Sequence, residues 1–182
     1  MRVLGLGAAV ILAWCGQAAA ELQVRYFEGA PKDRFVIENL SGCALGEFSL
    51  EIDLRPSAGG LIFDTELDGA GINVAQPFEL VAGGGQLAGR SEVGDGEQTL
   101  MLRFAGLERG APVIFTIDLD DTLPSGSTQT MVQGDEMIGA VVRFQAKGLS
   151  PLEGLFDATS QAILPVSACV SGLPRADVLG VG

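Results

Sequence analysis

Three aspartates lie close together in residues 112–122, whose sequence is PVIFTIDLDDT. The alternating apolar residues predict a β-strand with one buried face, and Asp118 and Asp120 fall together on its other face. Residues two apart on a strand point the same way at roughly 6.5–7 Å, so these like charges repel unless a positive charge offsets them. A bound cation would offset them, and carboxylate oxygens are ligands that calcium prefers.

Acidic side chains continue beyond this strand. Asp121 follows directly, and Glu136 stands at the start of the next predicted strand, so a hairpin would bring the two acidic groups together. The sequence therefore predicts a calcium site formed by Asp118, Asp120, Asp121 and Glu136. Calcium takes six to eight oxygens at about 2.3–2.6 Å, from carboxylates, carbonyls and water. The alternative is that Asp120 and Asp121 only cap a turn through hydrogen bonds to the backbone.

A second acidic segment occupies residues 63–71, with the sequence FDTELDGAG. We expect Asp64 and Asp68 to form turns there, because aspartate bonds to nearby backbone amides and glycine permits tight turns. A ligand role for either aspartate is the alternative.

The composition excludes most catalytic chemistry. The 182 residues include no histidine, which removes Ser-His-Asp and Cys-His machinery and leaves too few ligands for a tetrahedral zinc site. Glycoside hydrolysis can run on carboxylates alone. The aromatic platforms that bind sugars are scarce, however, since Tyr26 is the one tyrosine and Trp14 the one tryptophan. We therefore predict that the protein is not an enzyme.

The first 20 residues have the features of a secretory signal peptide. Arg2 precedes an apolar run over residues 3–15, and the small residues 18–20 form a cleavage site before Glu21. No later segment is apolar for long enough to span a membrane. These features predict a secreted or periplasmic protein with no membrane insertion.

Charge and cysteine content narrow the partners and the compartment. A formal net charge of −12 repels nucleic acid and anionic lipid and favours cations or basic partners.

Cys15 would leave with the signal peptide, so Cys43 and Cys169 remain and are predicted to form a disulfide in an oxidising compartment. Closing so long a loop would stabilise the fold by about 4–5 kcal/mol.

Short strands separated by turn residues organise the rest of the chain. Strands with one polar face are typical of antiparallel sheets, and no convincing amphipathic helix is present. We expect one domain over residues 21–182, an all-β, two-sheet antiparallel β-sandwich of jelly-roll or immunoglobulin-like arrangement. The predicted strands are residues 22–27, 34–39, 47–54, 60–63, 72–81, 98–105, 112–119, 129–132, 137–146 and 161–166.

Several of these segments together resemble a known group of proteins. Residues 63–65, 69–71, 76–79, 115–122 and 136–140 are similar to small exported bacterial proteins labelled aggregation-factor core protein-like, a label taken from a calcium-dependent sponge adhesion protein. The likeness covers roughly residues 34–146. Residues 99–122 also resemble the strand-turn-strand of Calx-beta modules, and this resemblance implies calcium binding by Asp120 and Asp121.

These observations predict a non-enzymatic binding or adhesion module, assisted by calcium, whose partner is a surface glycan or a protein. The alternatives are a carboxylate-based carbohydrate-active enzyme and a structural envelope protein without a discrete ligand. Two carboxyl groups about 5–10 Å apart in a cleft would favour hydrolysis. Carboxylates that converge with backbone carbonyls would favour a metal.

Overall fold

The computed structural model of the protein describes residues 21–29, 32–71, 75–122 and 132–166. The predicted signal peptide and Cys169 lie outside these ranges. No helix within them is long and apolar enough to cross a membrane. The strands, in chain order, are β1 (Leu22–Phe27), β2 (Arg34–Asn39), β3 (Phe48–Asp53), β4 (Ile62–Asp64), β5 (Glu79–Ala82), β6 (Leu87–Arg90), β7 (Thr99–Phe104), β8 (Val113–Thr116), β9 (Asp118–Asp120), β10 (Val141–Ala146), β11 (Leu152–Leu155) and β12 (Gln161–Leu164).

Two five-stranded antiparallel sheets pack face to face. The first sheet has the order β12-β1-β2-β8-β5 and the second the order β11-β10-β3-β7-β6. Alternate residues of each strand enter one shared core, as the period of two in the sequence requires. The predicted two-sheet antiparallel β-sandwich is therefore confirmed.

Phenylalanine side chains fill much of the core between the sheets. Phe35 stacks on Phe115 at 5.1 Å between ring centroids, and both belong to the first sheet. In the second sheet Phe48 stacks on Phe104 at 4.3 Å and meets Phe144 at 4.9 Å. Such pairs add to the free energy gained by removing the rings from water. Packing of these rings therefore stabilises the two sheets from which the short strands β4 and β9 extend.

The edge strands of the two sheets are β5 and β6 on one side and β11 and β12 on the other. The pairings of β5 with β8 and of β6 with β7 both contain a register shift. On the opposite side the chain turns back from β11 to β12, and Gly154 lies so close to β12 that a Cβ there would be 2.9 Å from the carbonyl oxygen of Ile163.

A separate two-stranded ribbon, β4 paired with β9, carries the acidic residues. The chain leaves the first sheet at Ile117, so the single strand predicted over residues 112–119 is wrong in this respect. Asp33 fixes the change of direction: its main-chain oxygen accepts a hydrogen bond from the amide of Ile117 at 3.2 Å, and its Oδ2 accepts one from the amide of Leu119 at 3.1 Å. This change of direction places β9 where it pairs with β4.

Other predicted boundaries also need correction. The strand predicted over residues 137–146 begins at Val141, because residues 134–139 form turns and Gly139 has a φ of +91°. Glu136 therefore lies in a turn. Of the strand predicted over residues 72–81, the described part is extended only from Glu79, and residues 129–131 lie outside the described ranges. The strands β6 and β11 were not predicted, because Gly89 and Gly154 interrupt their patterns.

Candidate functional site

The register of the β4–β9 ribbon brings three carboxylates to one face. Asp64 lies directly opposite Asp118, and Ile62 lies opposite Asp120. Residues opposite each other in an antiparallel pair point to the same face, as do residues two apart on one strand. The prediction that Asp118 and Asp120 share a face is thus confirmed, and Asp64, which we expected in a turn, lies in a strand and joins them.

Asp64 is the most deeply buried of the three carboxylates. Its relative exposure is 1 %, and no amide, hydroxyl or basic group of the described residues donates to either carboxylate oxygen, whereas the carboxyl groups of Asp95 and Asp120 lie within hydrogen-bonding reach. Burial, together with the neighbouring carboxyl groups of Asp95 and Asp120, raises the pKa of Asp64 to about 6. An ionised carboxylate without donors is costly to bury, so something must compensate it at neutral pH.

The second member of the pair, Asp118, is half-buried and surrounded by negative charge. Burial raises the pKa of Asp118 to about 7, and the charges of Asp33, Asp120 and Asp64 act in the same direction. Burial likewise raises the pKa of Asp33 to about 7, although hydrogen bonds from Gly29 and Leu119 oppose the rise. The ribbon therefore holds a concentration of negative charge that the fold must tolerate.

A loop closes over this face and is anchored by Asp95. Its Oδ1 accepts hydrogen bonds from the amides of Thr65 at 3.0 Å and Glu66 at 3.3 Å, and its Oδ2 accepts one from the amide of Ala70. These bonds, with those from Thr65 and Ala70 foremost, lower the pKa of Asp95. The Asp95 side chain is an ionised anchor that holds residues 65–70 beside Asp64.

Two glycines let the loop approach the carboxylates. A Cβ at Gly71 would lie 2.2 Å from Oδ2 of Asp120 and 2.5 Å from Oδ2 of Asp64. A Cβ at Gly69 would lie 2.3 Å from Oδ2 of Asp95. Real Cβ atoms do not come this close to other atoms, so only glycine fits at either position. The Oδ2 atoms of Asp64 and Asp120 therefore both pack against Gly71.

The remaining residues of the predicted metal site lie in a neighbouring acidic group. Glu136 accepts a hydrogen bond from the amide of Gln133 at 2.7 Å. Burial raises the pKa of Glu136, as do the charges of Asp121, Asp135 and, to a lesser extent, other acids. The acids acting on Asp118 are instead Asp33, Asp120 and Asp64. The hairpin we expected to unite Glu136 with the ribbon is absent from the described strands.

The described side chains do not form a finished metal centre. No three aspartate, glutamate or cysteine side chains in the described ranges are already arranged around a point that could hold a metal ion. The calcium role predicted for Asp118, Asp120, Asp121 and Glu136 stays a prediction. What the ribbon offers is a set of hard oxygen donors that an ion would have to draw together.

Cys43, one of the two cysteines of the predicted disulfide, lies between β2 and β3. Cys43 is disulfide-bonded, and its carbonyl oxygen accepts hydrogen bonds from Asn39 at 2.8 Å and Ser41 at 2.9 Å. Because Cys169 is outside the described residues, the pairing of these two cysteines stays a prediction.

Comparison with protein-family models, with curated proteins and with solved structures finds no match to this chain. The resemblance to aggregation-factor core proteins therefore stays a prediction, and the functional argument rests on the geometry of the ribbon. The sequence analysis gave Asp64 a ligand role only as the alternative to a turn, and it did not place Asp95 beside these carboxylates. The glycines at positions 69 and 71, read only as turn formers, were the available signal, because two glycines one residue apart permit close approach of the backbone to bulky groups.

Proposed function

We propose that the protein is an exported, non-enzymatic binding module that takes up calcium at the carboxylate face of the β4–β9 ribbon and uses it to hold a surface glycan or a protein partner. The observation that carries this proposal is the register that collects Asp64, Asp118 and Asp120 on one face. Like charges so placed destabilise the fold unless they are neutralised. A divalent cation neutralises two of them at once.

Calcium suits this set of ligands better than other common ions. Carboxylate oxygens are hard donors, which favour calcium or magnesium over zinc or copper. Magnesium demands near-ideal octahedral geometry at about 2.0–2.1 Å and gives up water reluctantly. The carboxylates come from two strands, and Asp118 is partly exposed. Calcium accepts the irregular coordination that such a set would give.

The same set leaves room for a partner. Three carboxylates supply only part of the roughly six to eight oxygens that calcium binds. Asp118 is half-buried rather than enclosed, so the outer side of a bound ion faces solvent. Hydroxyl or carboxylate oxygens of a glycan or protein can complete the coordination there, and partner binding would then depend on calcium.

The test uses the mature protein, beginning at residue 21, in isothermal titration with calcium and in thermal unfolding. At free calcium one hundred times its dissociation constant, the ion should stabilise the fold by about 2.7 kcal/mol. Magnesium is the matched control and should stabilise less. Binding to an array of surface glycans should then be lost in chelator and restored by calcium. A melting temperature that is the same in calcium and in chelator would reject the proposal.

A carboxylate-based carbohydrate-active enzyme is the second candidate, because one observation favours it. The pKa of Asp118 is raised to about 7 by burial and by Asp33, and a general acid must keep its proton near neutral pH. Release of reducing ends from a polysaccharide panel, abolished by Asp118→Asn, would support this candidate. No release from any member of the panel would leave the binding module as the better account.

A further inference from the structure

The outer faces of the two sheets differ in chemistry. On the second sheet the guanidinium of Arg143 bonds to Glu153 on one side and to Glu51 and Asp53 on the other. Ion pairs across three neighbouring strands therefore occupy that face. The outer face of the first sheet instead carries apolar side chains that join into a band, and such a band on an outer face marks a site of contact.

This apolar band consists of Phe27, Val36, Ile114 and Ala82. The register places Val36, Ile114 and Ala82 side by side on β2, β8 and β5. Phe27, at the end of β1, lies diagonally from Val36 and within its reach. Phe27 is 37 % exposed, and Val81, at the register shift in β5, is 58 % exposed. Both ends of the band therefore reach solvent.

Two ion pairs line the band. Arg25 pairs with Glu38 at 3.1 Å, and Lys32 pairs with Glu79. The face is thus close to neutral in a chain whose formal net charge is −12, so two copies of the chain repel each other least where these faces meet. An apolar centre with a polar rim is also the anatomy of protein interfaces.

Arg34 belongs to neither of these ion pairs. Its guanidinium lies 5.1 Å from the centre of the Phe27 ring, and that of Arg25 lies 5.4 Å from the same ring. The end of the band at β1 and β2 therefore carries an excess cation. The end at β5 carries the exposed carboxylate of Glu79, which can accept further hydrogen bonds beside that from Lys32. These two ends are complementary to each other.

We infer that the outer face of the first sheet is a docking surface for a second copy of this chain, packed face to face about a two-fold axis parallel to the strands between β2 and β8. This axis lays β1 and β2 of one copy over β5 and β8 of the other. Phe27 and Arg34 then meet Glu79 of the second copy, while the centres of the two bands pack on each other. The contact goes beyond the proposed function, because it uses no carboxylate of the β4–β9 ribbon and needs no calcium.

The size of the face sets the strength of this contact. The sheet has five strands, of which β1 and β2 have six residues each. With strands about 4.8 Å apart and about 3.4 Å per residue, the face measures at most about 24 Å by 20 Å, or about 500 Å². A stable interface buries about 800 Å² on each partner. We therefore expect a weak, reversible dimer with a dissociation constant on the order of 0.1 mM.

Sedimentation equilibrium of the mature protein in chelator measures the contact without calcium. The average mass should rise from monomer towards dimer as the protein concentration passes through the dissociation constant. Phe27→Glu should weaken association at least about tenfold, because it places a charge at the apolar band and against Glu79 of the second copy. The matched control is Arg103→Glu, at an exposed position on the outer face of the second sheet. It should associate within about twofold of the wild type.

A charge exchange identifies the second copy as the partner. Arg34→Glu leaves an anion at both position 34 and position 79, whereas Glu79→Arg leaves a cation at both. Each variant alone should associate about tenfold more weakly than the wild type, because like charges then meet across the two-fold axis. An equal mixture of the two variants should associate at least about tenfold more tightly than either alone, since each chain supplies the charge that the other lacks.

The other outcomes overturn the inference. A wild-type protein that stays monomeric in chelator up to about 1 mM, well above the expected dissociation constant, would assign the band to a glycan or to a different protein. Association that appears only with calcium would place the contact at the ribbon and support the proposed function instead. Association that Arg103→Glu abolishes and Phe27→Glu does not would place it on the second sheet. None of these results removes calcium binding by the ribbon, which calcium calorimetry tests separately.

Discussion

Replacement of Gly71 by alanine tests the approach of the loop to the carboxylates. The added Cβ would lie 2.2 Å from Oδ2 of Asp120 and 2.5 Å from Oδ2 of Asp64. Asp64 is buried and cannot swing away freely, so the loop or the ribbon must shift. Inserting a methyl group into a filled site costs about 1–3 kcal/mol. We expect Gly71→Ala to lose a free energy of unfolding in this range and to bind calcium more weakly.

Urea unfolding at equilibrium measures the first effect, because a single small domain of this kind unfolds in a nearly two-state transition. Gly85→Ala is the matched control, since an added Cβ there meets nothing within 4 Å, and it should change stability by no more than about 0.5 kcal/mol. If Gly71→Ala is as stable as Gly85→Ala and binds calcium like the wild type, the loop does not cover the carboxylates and the reasoning fails.

Four further predictions concern charge, cross-linking and processing. Burial and nearby acids raise the pKa of Asp64 to about 6 and of Asp118 to about 7, so the folded protein binds more protons than the unfolded chain between about pH 4 and pH 7. Its melting temperature in chelator should fall as pH rises through that window, and calcium should oppose the fall. Arg143→Met removes a donor to buried Asp53 and should lower stability in urea by about 1–3 kcal/mol; no change would mean that the remaining arginine suffices. Denatured, unreduced mature protein should show no labelled thiol at Cys43. Intact mass of the exported protein should correspond to cleavage after residue 20, and a retained leader would contradict export by this route.

The sandwich was predictable because its information is local. Alternation of apolar and polar residues fixes which side of each strand is buried, and turn residues separate the strands. The same local pattern placed Asp118 and Asp120 on one face. It failed at Ile117, where the break in the strand is imposed by Asp33, a residue distant in sequence. It failed again at Glu136, where the left-handed Gly139 turns an apolar run away from strand geometry.

The position of Asp64 beside Asp118 was not predictable for a related reason. Asp64 meets Asp118 only because β4 pairs with β9, and Asp95 bonds to Thr65 across 30 positions of the sequence. Both contacts join segments far apart in the chain. A single sequence states which residues can act as ligands, whereas the assembled fold decides which of them share a site.

The edges of the sandwich bear on how copies of the protein behave when crowded together. Register shifts interrupt the pairing of the edge strands β5 and β6 on one side, and on the other side residues 156–160 connect the edge strands β11 and β12. Strand-to-strand addition, the route to fibres, is therefore hindered at β5 and β6. At high density, contact between copies through β5 and β6 is disfavoured, and contact through side chains or a shared ion is favoured instead. Contacts of this kind between charged groups are weakened by changing the ionic strength. A continuous sheet formed by strands of several copies would persist under the same change.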